Sequence, residues 1–346
     1  MRRITLSIIT VLVIVGLVII SCSPKPASET SGPVTLPAQI SMGTFPPGSA
    51  SYVPATAIAA AVSRHTPMHM TVEPAVGGIP QAKLLAEKKI EFAMIVAYGI
   101  RAGFEGAYSF ASMGPQPFRL VATGWTMPFG FAARGDSGIK TPADFKGKRV
   151  HVQMAGEDSS IVYTHAVLAA YGLTVKDLKA ATTYARSADS DRDLIENRVD
   201  VIVGSLGGAK QVELEKAVNA FAVPISHEAT IKQKILSAMP GLVPITLKAG
   251  TPTAQVDTPT YAQIQSLYTV TGVSDEIVYQ VTKAMYDNYD TELAPVHPTA
   301  AEWTLERALY DPVVPYHNGA IRYYKEKGVW SSSMEKKQKE LLALVK

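Results

Sequence analysis

An α/β fold of two similar lobes is predicted by two features: a strand–loop–helix unit that occurs twice, about 110 positions apart, and a shared way of closing each unit. In the first copy Ala38-Gln39-Ile40-Ser41-Met42-Gly43 reads as a short strand, residues 44–51 as a Gly/Pro/Ser loop, and residues 52–64 as an Ala-rich helix. In the second, Lys148-Arg149-Val150-His151-Val152-Gln153-Met154 is the strand, Ala155-Gly156-Glu157-Asp158-Ser159 the loop, and residues 160–171 the helix. Each unit closes with a helix end, a turn and an acidic residue opening an apolar strand: Glu91 before Phe92-Ala93-Met94-Ile95-Val96, and Asp200 before Val201-Ile202-Val203. Loops at strand C-termini and helix N-termini would then face a shared cleft, where such folds bind ligands. The cleft suits a hinge-closing receptor; doubly wound enzymes use the same elements.

Between and after these units the remaining elements follow in order. Met70-Thr71-Val72-Glu73 is a strand, Gly77-Gly78 a turn, and residues 79–87 a helix. Residues 118–123 form a further strand, and Phe129-Gly130-Phe131-Ala132-Ala133 the strand entering the second lobe. Thr141-Pro142-Ala143-Asp144 has the form of a helix start, with Thr as N-cap and Pro at the first helical position. Gly172 and Asn197 stand where left-handed residues end helices. A helix over 209–218 and a strand over 220–225 complete this lobe. Beyond residue 226 Pro and Thr recur, then a β-prone stretch at 264–269 and helices follow; this segment is expected to cross back and finish the first lobe. The organisation is therefore a lobe over 36–124, a second over 125–225, and a crossover with completion of the first over 226–346.

The N-terminus is a targeting segment: Arg2-Arg3, an uncharged apolar run over 4–20, and Ile19-Ile20-Ser21-Cys22. A cysteine directly after the small residue resembles a bacterial lipobox, so residues 1–21 read as a lipoprotein signal peptide and Cys22 as the acylated residue. An uncleaved membrane anchor is the alternative, since the run nears the ~20 residues that span a bilayer. Either places the rest of the chain outside the cytoplasmic membrane, in the periplasm or on the outer face of the cell. Residues 22–35, rich in Ser, Pro, Thr and Ala, read as a flexible tether. Cys22 is the one cysteine of the chain, which leaves no disulfide and no thiolate metal site.

The formal charge of +3 falls to +1 once Arg2 and Arg3 are removed (31 basic minus 30 acidic). With no Lys/Arg cluster interleaved by aromatics, nucleic acid is not an expected partner. His65 and His69 are four apart, yet Pro67 breaks the helix that would align them on a metal. No nucleophile elbow surrounds Ser159. No cofactor, metal or catalytic residue is expected.

From residue 38 to about 330 the chain resembles the TAXI-type substrate-binding proteins of TRAP (tripartite ATP-independent periplasmic) transporters. The most specific stretch is Pro315-Tyr316-His317-Asn318-Gly319-Ala320-Ile321-Arg322-Tyr323-Tyr324-Lys325-Glu326-Lys327-Gly328, close to the family's P-x-H-x-G-A-x-R-Y-Y-x-E-x-G ending. Gly138-Ile139-Lys140 through Val150, and Thr71-Val72-Glu73 before Gly77-Gly78, also fit. The resemblance implies a type II periplasmic binding-protein fold and a monomeric, lipid-anchored receptor that hands a small organic acid to TRAP membrane subunits. An orphan receptor feeding a sensor and a periplasmic enzyme on the same scaffold are the alternatives. The chain also departs from the family. Its glycine-dense first loop is here Phe45-Pro46-Pro47-Gly48-Ser49-Ala50-Ser51-Tyr52; its G-G-S-x-x-N is Gly77-Gly78-Ile79-Pro80-Gln81-Ala82; its Gln-Ser is Ala97-Tyr98; and its P-G-S-G-T turn is Ala155-Gly156-Glu157-Asp158-Ser159-Ser160. The family's dicarboxylate ligands therefore do not carry over.

Candidate ligand contacts follow from these positions. Gly48, Ser49, Ser51 and Tyr52 meet a helix N-terminus, which favours a carboxylate, although Ser51 can act there as a plain N-cap. Gly78 and Gln81 stand in the second loop, and Gly156, Ser159 and Ser160 are the second-lobe counterparts. Glu157 and Asp158 beside them would repel an anion; they could pair with a ligand amine or simply stabilise the helix start. Tyr98 and Trp125 could cover an apolar body, whereas Phe129 suits hinge packing. Gly204 and Ser205, in Gly204-Ser205-Leu206-Gly207-Gly208, lack P-loop spacing and suit a close backbone approach to a small ligand. His317 is expected to make a structural hydrogen bond.

Overall fold

The computed structural model describes residues 35–344 apart from Gly48 and Val76; the expected signal peptide, Cys22 as the expected acylated residue, and the expected tether up to residue 34 lie outside the described residues. In chain order the first elements are β1 (Gln39–Thr44), α1 (Tyr52–His65), β2 (His69–Pro74), α2 (Gly78–Ala86), β3 (Phe92–Val96), α3 (Ala97–Glu105) and β4 (Phe118–Ala133). Then come β5 (Arg149–Met154), α4 (Asp158–Ala170), β6 (Ala180–Tyr184), α5 (Ser187–Ile195), β7 (Val201–Ser205), α6 (Ala209–Val218) and β8 (Phe221–Ala222). The chain ends with α7 (Ala229–Ala238), β9 (Leu242–Leu247), β10 (Thr258–Val270), α8 (Asp275–Asp287), α9 (Pro298–Ala301), α10 (Asn318–Glu326) and α11 (Ser332–Leu342).

The strands join in the order β2-β1-β3-β10-β4-β7-β5-β6, with β8 on β4 and β9 on β10. The outer strands of each half run parallel, whereas β10 and β4 are antiparallel to each other and to β3 and β7 respectively. Apolar side chains collect in separate clusters on either side of this central pair. Met42, Phe92, Leu120, Leu267, Trp303 and Tyr324 belong to one, and Phe131, Phe145, Val150, Tyr163, Val201 and Ile235 to another. The divide falls within β4: Trp125 belongs to the first, Phe129 to the second, and Met127 packs against both. These two halves are the lobes referred to below.

Three sequence expectations need correction in detail. The strands at 118–123 and 129–133 are one continuous strand, because β10 pairs with the first part and β7 with the second. Pro128, which lacks an N–H, still serves there, since its carbonyl accepts from Leu206 N at 2.9 Å. The Ala97-Tyr98 segment is the first turn of α3 rather than a strand end. Return to the first lobe begins along β10, not at 226: α7 packs on α4, and Ile235, Met239 and Leu242 join the second lobe's core.

The C-terminal motif is structural. His317 Nδ1 accepts from Gly319 N at 3.2 Å and so caps α10. Tyr323 and Tyr324 are buried, with the Tyr324 hydroxyl donating to Val121 O at 2.7 Å. Gly319 sits so close to α8 that a Cβ would lie 2.2 Å from Asp275 O, so no larger residue fits.

Candidate functional site

The two lobes meet through the β2–α2 and β5–α4 turns. Gly77 adopts φ +89°, a conformation that disfavours other residues, and a Cβ there would lie 2.8 Å from Gly156 O. Helix α2 opens at Gly78 with no side-chain cap of its own, which leaves its first N–H groups available to a partner. The other lobe supplies that partner. Gly78 N–H donates to the Glu157 carboxylate, and Ile79 N donates to Gly156 O at 3.3 Å. The Ser159 hydroxyl donates to Glu157 Oε2 at 3.3 Å, and Ser160 Oγ ties the turn by donating to Glu157 O and accepting from Met154 N. Asp158 accepts from Ser109 N at 3.0 Å and Ser109 Oγ at 2.8 Å, in the short turn after α3. Burial pushes the Glu157 carboxyl up to about 7, against the lowering effect of the Gly78 and Ser159 bonds. Glu157 and Asp158 thus reach across to backbone and hydroxyl donors of the opposite lobe.

The start of α1 is built differently. Ser51 makes no side-chain cap and no acid stands in the first turn. Ser49 N donates to Pro46 O and Tyr52 N to Ser49 O, while Ser49 Oγ is buried with no partner among the described residues. Gly48 lies outside the described residues. Gln81 is fully buried against Gly43, where a Cβ would come 3.7 Å from its Cβ and Cγ. Both of its amide atoms lack a partner among the described residues, as does Trp125 Nε1. Buried polar groups are nearly always satisfied, by protein or by ordered water, so these are places where a water or a ligand group can bond.

Two further residues of this kind escaped the sequence reading. Gln263 and Gln265 on β10 are buried, Gln263 with both amide atoms and Gln265 with its Oε1 unpartnered among the described residues. They stand opposite Met127 of β4 and Val96 of β3, next to the inter-lobe divide. The available signal was glutamine alternating with apolar residues in a strand buried on both faces, where an amide is out of place.

Other candidates are drawn into the scaffold. Tyr98 packs edge-on against Tyr108 at 6.1 Å and counts with the second lobe's core, and burial pushes its hydroxyl far up. Gly204 and Ser205 pair with Gly130 and Phe129 in the sheet. The loop after them is closed by Gln211, which accepts from Gly208 N at 3.0 Å and donates to Ser205 O at 2.8 Å. Phe129 packs on Tyr163 at 5.2 Å. His65 bonds Glu292 at 3.0 Å, and His69 is an exposed residue of β2.

Comparison with known proteins bears on this architecture. A protein of Bordetella bronchiseptica RB50 is 14% identical and aligns over 90% of each chain with a TM-score of 0.51. The periplasmic aliphatic sulphonate binding protein SsuA of Escherichia coli is 15% identical over 87% of this chain and 91% of its own, TM-score 0.45. An ancestral arginine-binding protein bound to arginine is 14% identical over 74% and 95%, TM-score 0.46. Likeness at such identity concerns the fold alone. With its antiparallel crossing strands between two parallel half-sheets, the fold is the type II periplasmic binding-protein fold that the family resemblance implies. The model of the NMT1-like family matches residues 42–328, and by that match, which spans both lobes and both crossing strands, the chain belongs to the NMT1-like family.

Proposed function

We propose that the protein is an extracytoplasmic solute receptor that captures a small organic acid by lobe closure and delivers it to membrane transport subunits. The observation that carries this reading is the meeting of the β2–α2 and β5–α4 turns, which brings the strand-end loops of both lobes together. Contacts available only when the lobes meet are what lets a ligand drive closure. The uncapped start of α1 supports a carboxylate there, with the buried Ser49 hydroxyl as an added donor. Gln81, Gln263, Gln265 and Trp125 offer amide and indole groups to the ligand's body, which therefore carries hydrogen-bonding groups besides any apolar part. The TRAP subunits are the proposed partners on the strength of the C-terminal motif, with Cys22 as the lipid anchor. Cargo binding rather than turnover is the proposed activity.

Native purification followed by mass spectrometry identifies the bound small molecule. Added back to stripped protein, it should shrink the radius of gyration in small-angle scattering and be recovered unchanged. An unchanged radius at verified saturation, or conversion of the molecule, refutes the proposal. Uptake into vesicles carrying the membrane subunits should follow an ion gradient without ATP.

A further inference from the structure

We propose that Glu157 is a built-in occupant of a carboxylate seat at the start of α2, and that it restricts the receptor to ligands with no carboxylate at that end. The proposal deepens the receptor reading and rests on it. The seat has the parts of an anion site: Gly77 without a Cβ at φ +89°, the Gly78 N–H, and the uncapped N-terminus of a nine-residue helix. What fills it is the carboxylate of a residue 79 positions along the chain, on the opposite lobe. A Cβ on Gly78 would lie 3.1 Å from Glu157 Oε1 and 3.4 Å from Oε2, so both oxygens lie close to the helix start. Among the described residues this buried acid makes no salt bridge; its bonds are to Gly78 N–H and the Ser159 hydroxyl.

A second observation points to a ligand beside the seat. Gln81, one turn further along the same face of α2, is fully buried with both amide atoms unpartnered among the described residues. An amide offers a donor and an acceptor together, which suits an amide or hydroxyl on the ligand. A ligand carboxylate brought here would have to share the site with the Glu157 carboxyl, and two carboxyl groups at close range cannot both ionise freely. The resulting class is a monocarboxylate whose carboxylate sits at α1 and whose far end is uncharged.

The seat can be tested without the natural ligand. Thermal melting of wild type, Glu157→Gly and Glu157→Gln is followed while sodium acetate replaces sodium chloride at constant ionic strength. Acetate should raise the melting temperature of Glu157→Gly saturably, through binding to the folded state, and leave the other two unmoved. Absence of a saturable rise in folded Glu157→Gly overturns the proposal, as does an equal rise in wild type. Should Glu157→Gly not fold, Glu157→Ser carries the same titration. A natively co-purified ligand with two carboxylates refutes the restriction even if acetate binds. Failure of the receptor reading shows separately, as an unchanged radius of gyration, because the acetate titration reports the seat whatever the ligand.

Discussion

Removing the charge of Glu157 should abolish a pH dependence of stability that the wild type carries. Burial raises its carboxyl from 4.5 to about 7 in the folded protein. The folded state thus holds the proton more tightly than the unfolded chain. That advantage is complete below pH 4.5 and is lost as pH rises to about 7. Each tenfold change in proton affinity corresponds to about 1.4 kcal/mol, so the loss across this window is on the order of 3 kcal/mol. The group is enclosed by α2 and its own turn, so solvent screening takes little from the figure. Urea unfolding of wild type and Glu157→Gln at pH 5 and pH 8 isolates the effect, since glutamine keeps the shape and an acceptor oxygen but does not titrate. Wild type should lose about 2–3 kcal/mol more than the variant between the two conditions. Parallel pH profiles would refute the reasoning and place the carboxyl in contact with water.

Other outcomes follow from the same structure. Gly124→Ala would place a Cβ 2.3 Å from Trp303, a fully buried indole; overpacking of this kind costs about 1–3 kcal/mol or more, read as a lower urea midpoint at unchanged slope. Labelling cells with a clickable fatty acid should mark the wild type and not Cys22→Ala, and equal labelling of both would end the assignment of the anchor.

The repeated unit was legible because short strands and Ala-rich helices announce themselves locally. Strand 39–44 and helix 52–65 lie within a residue of expectation. The unity of β4 was not, because Gly124 and Pro128 carry turn signals that hold only without neighbours; two long pairings override them. Helix α3 was hidden by Gly99 and Gly103, the second of which lets Phe118 and Phe110 pack against the helix. At the site, the loops were legible but the contacts across them were not. Glu157 read as a repellent to anions in its own loop, whereas its partner, Gly78, lies 79 positions away on the other lobe. Buried glutamines on β10 were equally out of reach, since burial on both faces of a strand is decided by the elements that cover it.

The crossing strands have a mechanical consequence. Residues 118–133 and 258–270 form one antiparallel ribbon, paired from Tyr261 opposite Phe129 to Val270 opposite Phe118. Sliding one strand along the other by a single residue would exchange the side chains that face the two covering layers, so shear would unpack the core on both faces. Any change in the angle between the lobes would therefore have to twist the ribbon. The pairing is irregular between Ile264 and Ser266 and between Leu267 and Tyr268, where a bulge bends the strand and raises its local twist. The lobes are thus coupled by a hydrogen-bonded ribbon with a twist of its own rather than by a slack linker.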